Sequence, residues 1–91
     1  MKFPRSYEAT TTREDFVRLL SRATGGEAYR EIDGRFCGHD WSIHLTRIAP
    51  LEIGLVCLER HRVDIEFSGL SAEEQERFML RFTQHYQRGG G

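Results

Sequence analysis

The stretch RFCGHDW, residues 35–41, places a thiol, an imidazole and a carboxylate within four positions, at Cys37, His39 and Asp40. These are the groups of a nucleophile, a general base and the acid that orients the base. Adjacent side chains of an extended chain alternate between its two faces, so the three groups do not meet at hydrogen-bond distance. We therefore predict no catalytic residue here, and the whole sequence indicates a protein that is not an enzyme.

A zinc site is the second chemistry that these residue types suggest, with ligands drawn from Cys37, His39 or His44, Cys57 and His61. Structural zinc takes four ligands, usually supplied in pairs from tight turns. Alternation along strands places His44 and Cys57 on opposite sides of a sheet, which does not favour a shared ion. Our leading prediction is that Cys57 is a small core residue and that the histidines lie at the surface near turns, with no metal and no cofactor. A zinc-binding protein is the alternative.

Gly38 has a structural interpretation. Trp41 begins an alternating apolar row, and a regular strand continued backwards from it would bury Cys37 and expose Phe36. A bulge or turn at Gly38 reverses this parity and buries the phenylalanine. We predict that Phe36 is buried, that the backbone is irregular near Gly38 to Asp40, and that Cys37 holds no ligand.

The elements that position these residues begin with a helix over residues 11–24. Thr11 with Glu14 forms a predicted capping box, and Gly25 with Gly26 ends the helix. One apolar stripe follows the helical spacing and consists of Phe16, Leu19, Leu20 and Ala23.

From about residue 27 to residue 67 the apolar residues recur with period two, which predicts half-buried antiparallel strands. A two-residue turn is expected at Asp33 and Gly34, and the later connections at Ala49 with Pro50 and at residues 59–61. The apolar rows are Trp41, Ile43 and Leu45; Leu51, Ile53 and Leu55; and Val63, Ile65 and Phe67.

A second helix is predicted over residues 71–88, with a capping box formed by Ser71 and Glu74. Its apolar stripe consists of Phe78, Met79, Phe82 and Tyr86. The predicted fold is α+β, a two-layer sandwich in the order α-β-β-β-β-α, with a four-stranded antiparallel meander and both helices on one face. Residues 1–91 are expected to form a single domain, in which 1–10 are an edge strand or a loose arm and 89–91 a disordered tail.

The charge balance does not favour nucleic acid, because thirteen basic and fourteen acidic residues give a net charge of −1. The element order is similar to that of double-stranded RNA-binding domains, but residues 72–76 are AEEQE where those domains have lysines. A nucleic-acid contact through the arginine stripe of the second helix is kept as an alternative function; it consists of Arg77, Arg81 and Arg88. No apolar run is long enough to span a membrane, so a cytoplasmic protein without membrane contact is expected. The excess of arginine over lysine suggests a bacterial source.

The leading functional prediction is a small protein-interaction domain that acts through the sheet face left uncovered by the helices, with a protein partner or a second copy. On that face, apolar residues are flanked by charged rows, as the centre and rim of a contact would be. The predicted contact residues are His44, Thr46, Glu52, Val56, Leu58, Arg62, Asp64 and Glu66.

Overall fold

The structure, a computed structural model, describes residues 5–89, with side chains through Tyr86. The elements follow the order β1-α1-β2-β3-β4-β5-α2. The strands are β1 (Ser6–Thr10), β2 (Arg30–Ile32), β3 (Arg35–Cys37), β4 (Trp41–Ile53) and β5 (Val56–Phe67), and the helices are α1 (Arg13–Ala23) and α2 (Ala72–Gly89).

The sheet has five antiparallel strands in the order β1-β5-β4-β3-β2, so the predicted four-stranded meander gains β1 as an additional strand. Strand β1 pairs with β5 from Ser6 opposite Asp64 to Thr10 opposite Arg60. It is the edge strand that the sequence left open as one of two possibilities. The coarse prediction of an α+β domain with an antiparallel sheet and two helices is confirmed.

Both helices pack on one face of the sheet, and the core lies between the two layers. The helices contribute Phe16, Leu20 and Ala23 from α1 and Met79 and Phe82 from α2. The sheet contributes Trp41, Ile43 and Leu45 from β4 and Val63 and Ile65 from β5, together with Phe36, which is fully buried as expected. The opposite face of the sheet, called the open face below, is covered by no described element.

The two helix starts follow the capping rules, with one correction. In α1 the N-cap is Thr12 instead of Thr11, because the Thr12 hydroxyl accepts from the Asp15 backbone N–H at 3.1 Å. In α2 the predicted capping box is confirmed: the Ser71 N–H donates to Glu74 at 2.9 Å, and the Glu74 N–H donates to the Ser71 hydroxyl at 3.2 Å. Each helix therefore begins where a side chain satisfies its first free N–H groups.

The predicted turn at Asp33 and Gly34 joins β2 to β3, and both residues have positive φ, at 50° and 79°. This is the requirement of a two-residue hairpin turn in a twisted sheet. The irregularity predicted near Gly38 is a hairpin turn between β3 and β4, closed by the Gly38 N–H donating to the Trp41 carbonyl at 2.9 Å. A Cβ at Gly38 would lie 2.1 Å from the Trp41 ring, so the glycine allows the indole to pack against the backbone.

The connections predicted at Ala49 with Pro50 and at residues 59–61 are wrong. Strand β5 runs through residues 59–61, and β4 runs through Ala49 and Pro50 with a shift in its pairing there. The true connection is Gly54 and Leu55, where Gly54 has a φ of 59°. The pairing of β4 with β3 ends near Leu45, whose N–H donates to the Gly34 carbonyl. After Leu45, β3 no longer lies beside β4. Pro50 lies in the shift of the β4–β5 pairing between Ile48 and Leu51, and a β-bulge is one of the places where a sheet accommodates proline.

Strands β4 and β5 therefore extend as a two-stranded ribbon past the rest of the sheet. The molecule measures 45 × 28 × 19 Å, and its radius of gyration of 13.4 Å exceeds the roughly 12 Å of a compact chain of this length. Among residues 5–89 no helix is long and apolar enough to cross a membrane. Helix α2 includes Gly89, while Gly90 and Gly91 of the predicted tail lie outside the described residues.

Candidate protein-contact surface

The RFCGHDW stretch forms a turn, and its side chains do not converge. Cys37 lies on the open face opposite Ser42, whereas His39 is exposed at the tip of the turn. His39 Nε2 lies 3.6 Å from the Asp40 carboxylate, a surface contact that includes no thiol. This geometry supports no nucleophile-base pair at Cys37.

The two cysteines lie on the strands that flank β4, Cys37 on β3 and Cys57 on β5, near opposite ends of β4. Cys37 is paired with Ser42 and Cys57 with Glu52, ten residues further along the strand. At about 3.3 Å per residue the thiols are roughly 30 Å apart, too far for a disulfide or a common metal ion. Among the described residues, no group of three or more His, Cys, Asp or Glu side chains could hold a metal.

The predictions for Cys57 and the histidines need correction. Cys57 is exposed instead of buried, because it lies on the two-stranded ribbon outside the core. His61 is buried, although it was expected at the surface. Its Nδ1 lies 2.9 Å from the Thr11 carbonyl oxygen, so this nitrogen carries the proton and donates. The histidine therefore joins β5 to the segment that leads into α1.

The open face over the sheet's centre is a network of ion pairs. Arg35 contacts Glu66 at 2.9 Å, and Arg62 contacts Asp64 at 3.3 Å. The Ser6 hydroxyl donates to Asp64 at 2.6 Å, and this bond, helped by Arg62, lowers the pKa of the carboxyl below its usual range. Because the charges are already paired within the chain, this part of the face offers a partner little unmatched charge.

The predicted contact residues divide between this charged centre and the two-stranded ribbon. His44, Thr46, Arg62, Asp64 and Glu66 lie on the charged part of the open face. Glu52, Val56 and Leu58 lie on the part of the β4–β5 hairpin formed by residues 51–58, which we call the distal hairpin.

A β-bulge decides which side chains of the distal hairpin share a side. The pairing of β4 with β5 shifts between Ile48 and Leu51, so β4 carries one extra residue there and its side chains change faces. Leu51 then lies opposite Leu58, and Ile53 opposite Val56. Directly opposed residues share a face, so these four aliphatic side chains continue the open face. Glu52 is opposite Cys57 on the other side of the ribbon, contrary to its predicted place beside Val56 and Leu58.

The exposure of this aliphatic group distinguishes it from the core. Leu51 and Leu58 are each 38% exposed, Val56 54% and Ile53 60%, and Leu55 at the turn is fully exposed. Sequence parity alone had placed Leu51, Ile53 and Leu55 in one continued apolar row. The missed signals are the glycine of the turn and the proline that accompanies the bulge.

The arginine stripe of α2 does not stand free as a phosphate-binding row. Arg77 contacts Glu73 at 3.6 Å, as the i, i+4 spacing predicts. The Arg81 guanidinium packs against Gly25, where a Cβ would lie 2.3 Å from Nη1, so it lies at the C-terminal end of α1. A cation is stabilised there by the helix dipole. The side chain of Arg88 lies outside the described residues.

The largest group of exposed aliphatic residues in the described chain therefore lies on the distal hairpin, next to a neutralised charged surface. The sequence matches no protein-family model, and comparison with curated proteins and with solved structures finds no match.

Proposed function

We propose that this chain is a non-catalytic protein-interaction domain whose contact surface is the aliphatic side of the distal hairpin. The observation that carries the proposal is the position of Leu51, Ile53, Val56 and Leu58, four aliphatic side chains on one side of a ribbon that projects from the core. An isolated two-stranded hairpin is only marginally stable in water, and a covering surface stabilises it. Contiguous exposed apolar residues with a polar rim are typical of protein contacts.

The size of the patch sets the strength of the contact. Full burial of one such side chain is worth about 1.5–3 kcal/mol, and these four are already roughly half buried. Covering them therefore contributes about 4 kcal/mol, with a similar amount from an apolar partner surface. Association costs about 4–15 kcal/mol, so the distal hairpin alone supports a weak, exchanging complex. A second copy that stacks only hairpin on hairpin falls in this class, whereas a partner that also encloses Leu55 gains more.

The native size of the protein in its own cells tests the proposal. A tagged chain at its natural level is crosslinked inside the cell, so that a weak, exchanging complex is retained on elution, and is compared with the variants Ile53→Ser and Ile32→Ser treated in the same way. Ile32 is the matched control, because it is 55% exposed but lies on β2 at the other edge of the sheet. The wild type and the control are expected to elute above the 10.6 kDa monomer, and Ile53→Ser to elute at the monomer position. A monomeric wild type, or equal elution of both variants, would contradict the proposal.

A further inference from the structure

A second surface lies at the outer edge of β1, away from the distal hairpin. The order β1-β5-β4-β3-β2 makes β1 a terminal strand, and it pairs only with β5 among the described elements. Its sequence from Ser6 to Thr10 contains no proline. An exposed edge of this kind is a template for an added strand.

The hydrogen-bond register shows which backbone groups are free. The Ile65 N–H donates to the Arg5 carbonyl at 2.7 Å, so this pair is a hydrogen-bonded one. Such pairs recur at every second residue of an antiparallel ladder, which directs the backbone groups of residues 7 and 9 toward β5. The N–H and C=O groups of Ser6, Glu8 and Thr10 therefore point away from the sheet. All three residues are exposed, and within residues 5–86 their N–H groups donate to no acceptor outside the strand ladder.

A cleft of about 500 Å³ runs beside this edge, between β1 and α1. Its apolar lining consists of Tyr7, Ala9, Phe16, Leu19 and Tyr86. The volume falls within the range of ligand sites, and a five-residue strand is about 17 Å long, the length of an extended peptide of the same size.

The charges around the cleft are neutralised within the chain. Glu8 contacts Arg60 at 2.5 Å, and Asp15 contacts Arg18 at 3.1 Å. The complementary occupant is therefore uncharged where it enters the cleft. A second copy of β1 fits less well. If two β1 edges paired antiparallel through Ser6, Glu8 and Thr10, the two Glu8 side chains would lie directly opposite each other and repel.

We propose that the β1 edge and its cleft bind an extended peptide segment by strand addition, with two apolar side chains at positions i and i+2. The peptide backbone bonds to Ser6, Glu8 and Thr10, as an added strand bonds to a free sheet edge. Its residues that neighbour Tyr7 and Ala9 point to the helix side and enter the cleft, while the intervening residues point to the open face.

The test uses fluorescein-labelled octapeptides of serine and threonine that carry two leucines, either at i and i+2 or at i and i+1. The first peptide is expected to bind at least about tenfold more tightly than the second, and to protect the amides of Ser6, Glu8 and Thr10 from exchange. Glu8→Pro removes an outward N–H and should weaken binding about tenfold, whereas Glu8→Ala retains it and should bind within about threefold. Leu19→Glu changes the apolar wall of the cleft and should also weaken binding. This variant tests the proposal if Glu8→Pro does not fold.

Three results would overturn the proposal: no binding at millimolar peptide, equal binding of the two peptides, or protection confined to the distal hairpin. A dimer of the wild type in light scattering that Glu8→Pro dissociates would assign the edge to a second copy instead. Ile53→Ser should bind the peptide as the wild type does, because Ile53 does not line the cleft. The proposal for the distal hairpin and the proposal for the β1 cleft are therefore tested independently.

Discussion

Replacement of Gly38 by alanine should destabilise the fold through Trp41. The added Cβ would lie 2.1 Å from Cε2 and 2.3 Å from Nε1 of the indole, where carbon contacts require about 3.5–4.0 Å. The ring has little room to move, since it is 5% exposed, donates its N–H to Glu27, and packs 5.7 Å from Phe78 and 6.3 Å from Tyr29, centroid to centroid.

The size of the effect follows from three contributions. Overpacking costs about 1–3 kcal/mol, and weakening the bond to the Glu27 carboxylate adds up to about 1.5 kcal/mol. The φ of Gly38 is not positive, so alanine lowers the entropy of the unfolded chain without backbone strain and returns about 0.4–1 kcal/mol. The net loss is about 2 kcal/mol, which lowers Tm by roughly 8–16 °C in a domain of this length.

Urea unfolding followed by circular dichroism measures this loss directly, and it can be applied equally to variants that lack Trp41, the single tryptophan of the chain. The double variant Gly38→Ala/Trp41→Leu is the control, because a smaller side chain at 41 should remove most of the cost of the alanine. A Gly38→Ala variant as stable as the wild type would refute the reasoning. So would an unchanged cost in the Trp41→Leu background, since the clash would then not involve the indole.

Three further predictions concern the caps, the thiols and the helix pair. Hydrogen bonds with Ser71 at the N-cap of α2 lower the pKa of Glu74 in the folded protein. The stabilisation from the Glu74 carboxylate is therefore complete above its pKa in the unfolded chain and is lost as the pH falls through its pKa in the folded protein. Tm should fall more between pH 7 and 3 in the wild type than in Glu74→Gln. Cys37 and Cys57 should both react with a thiol reagent, and Cys57 should react faster because it is the more exposed; a mass loss of two hydrogens on oxidation of the monomer would contradict their separation. Tyr86→Phe removes the hydroxyl that donates to the Phe16 carbonyl at 2.6 Å and should cost about 1 kcal/mol in urea unfolding; no change would show that water replaces the bond.

Much of the fold is predictable from the sequence because local rules and the core agree there. The apolar stripes of both helices, the turn at Asp33 and Gly34, and the capping box at Ser71 each combine a periodic pattern with a specific end signal. Burial of Phe36 was predictable because only a turn at Gly38 reconciles it with the row that begins at Trp41.

The distal hairpin was not predictable in the same way. A proline normally ends a strand, but Pro50 lies at the β-bulge of β4, beyond the residues that pair with β3, where a sheet accommodates it. The period-two pattern continues across the turn at Gly54, and nothing in the pattern shows that residues 51–58 extend beyond the helices. The free edge of β1 depends on strand order, which is set by long-range pairing between Ser6 and Asp64 rather than by local sequence.

The prediction of a polar connection at residues 59–61 was wrong for a related reason. Glu59 and Arg60 are half-buried residues of β5 whose charged ends reach solvent, so the strand accommodates them. His61 is buried where the Thr11 carbonyl oxygen accepts a hydrogen bond from its Nδ1, a contact between residues fifty positions apart. Composition and spacing contain no signal for a partner of this kind.

Site-specific crosslinking from the two natural cysteines tests the central claim most directly. Single-cysteine chains, Cys37→Ala and Cys57→Ala, are labelled with benzophenone maleimide and irradiated in a native extract, and the mass of each adduct is measured. The Cys57 side chain lies on the side of the ribbon opposite the aliphatic group, but a two-stranded ribbon is narrow enough for the long label to reach a partner bound across it. The label on Cys57 should therefore give a defined protein adduct that Ile53→Ser abolishes and Ile32→Ser leaves intact, with Tm unchanged in both. An adduct that forms equally from Cys37, or that survives Ile53→Ser, would show that the distal hairpin is not the contact surface.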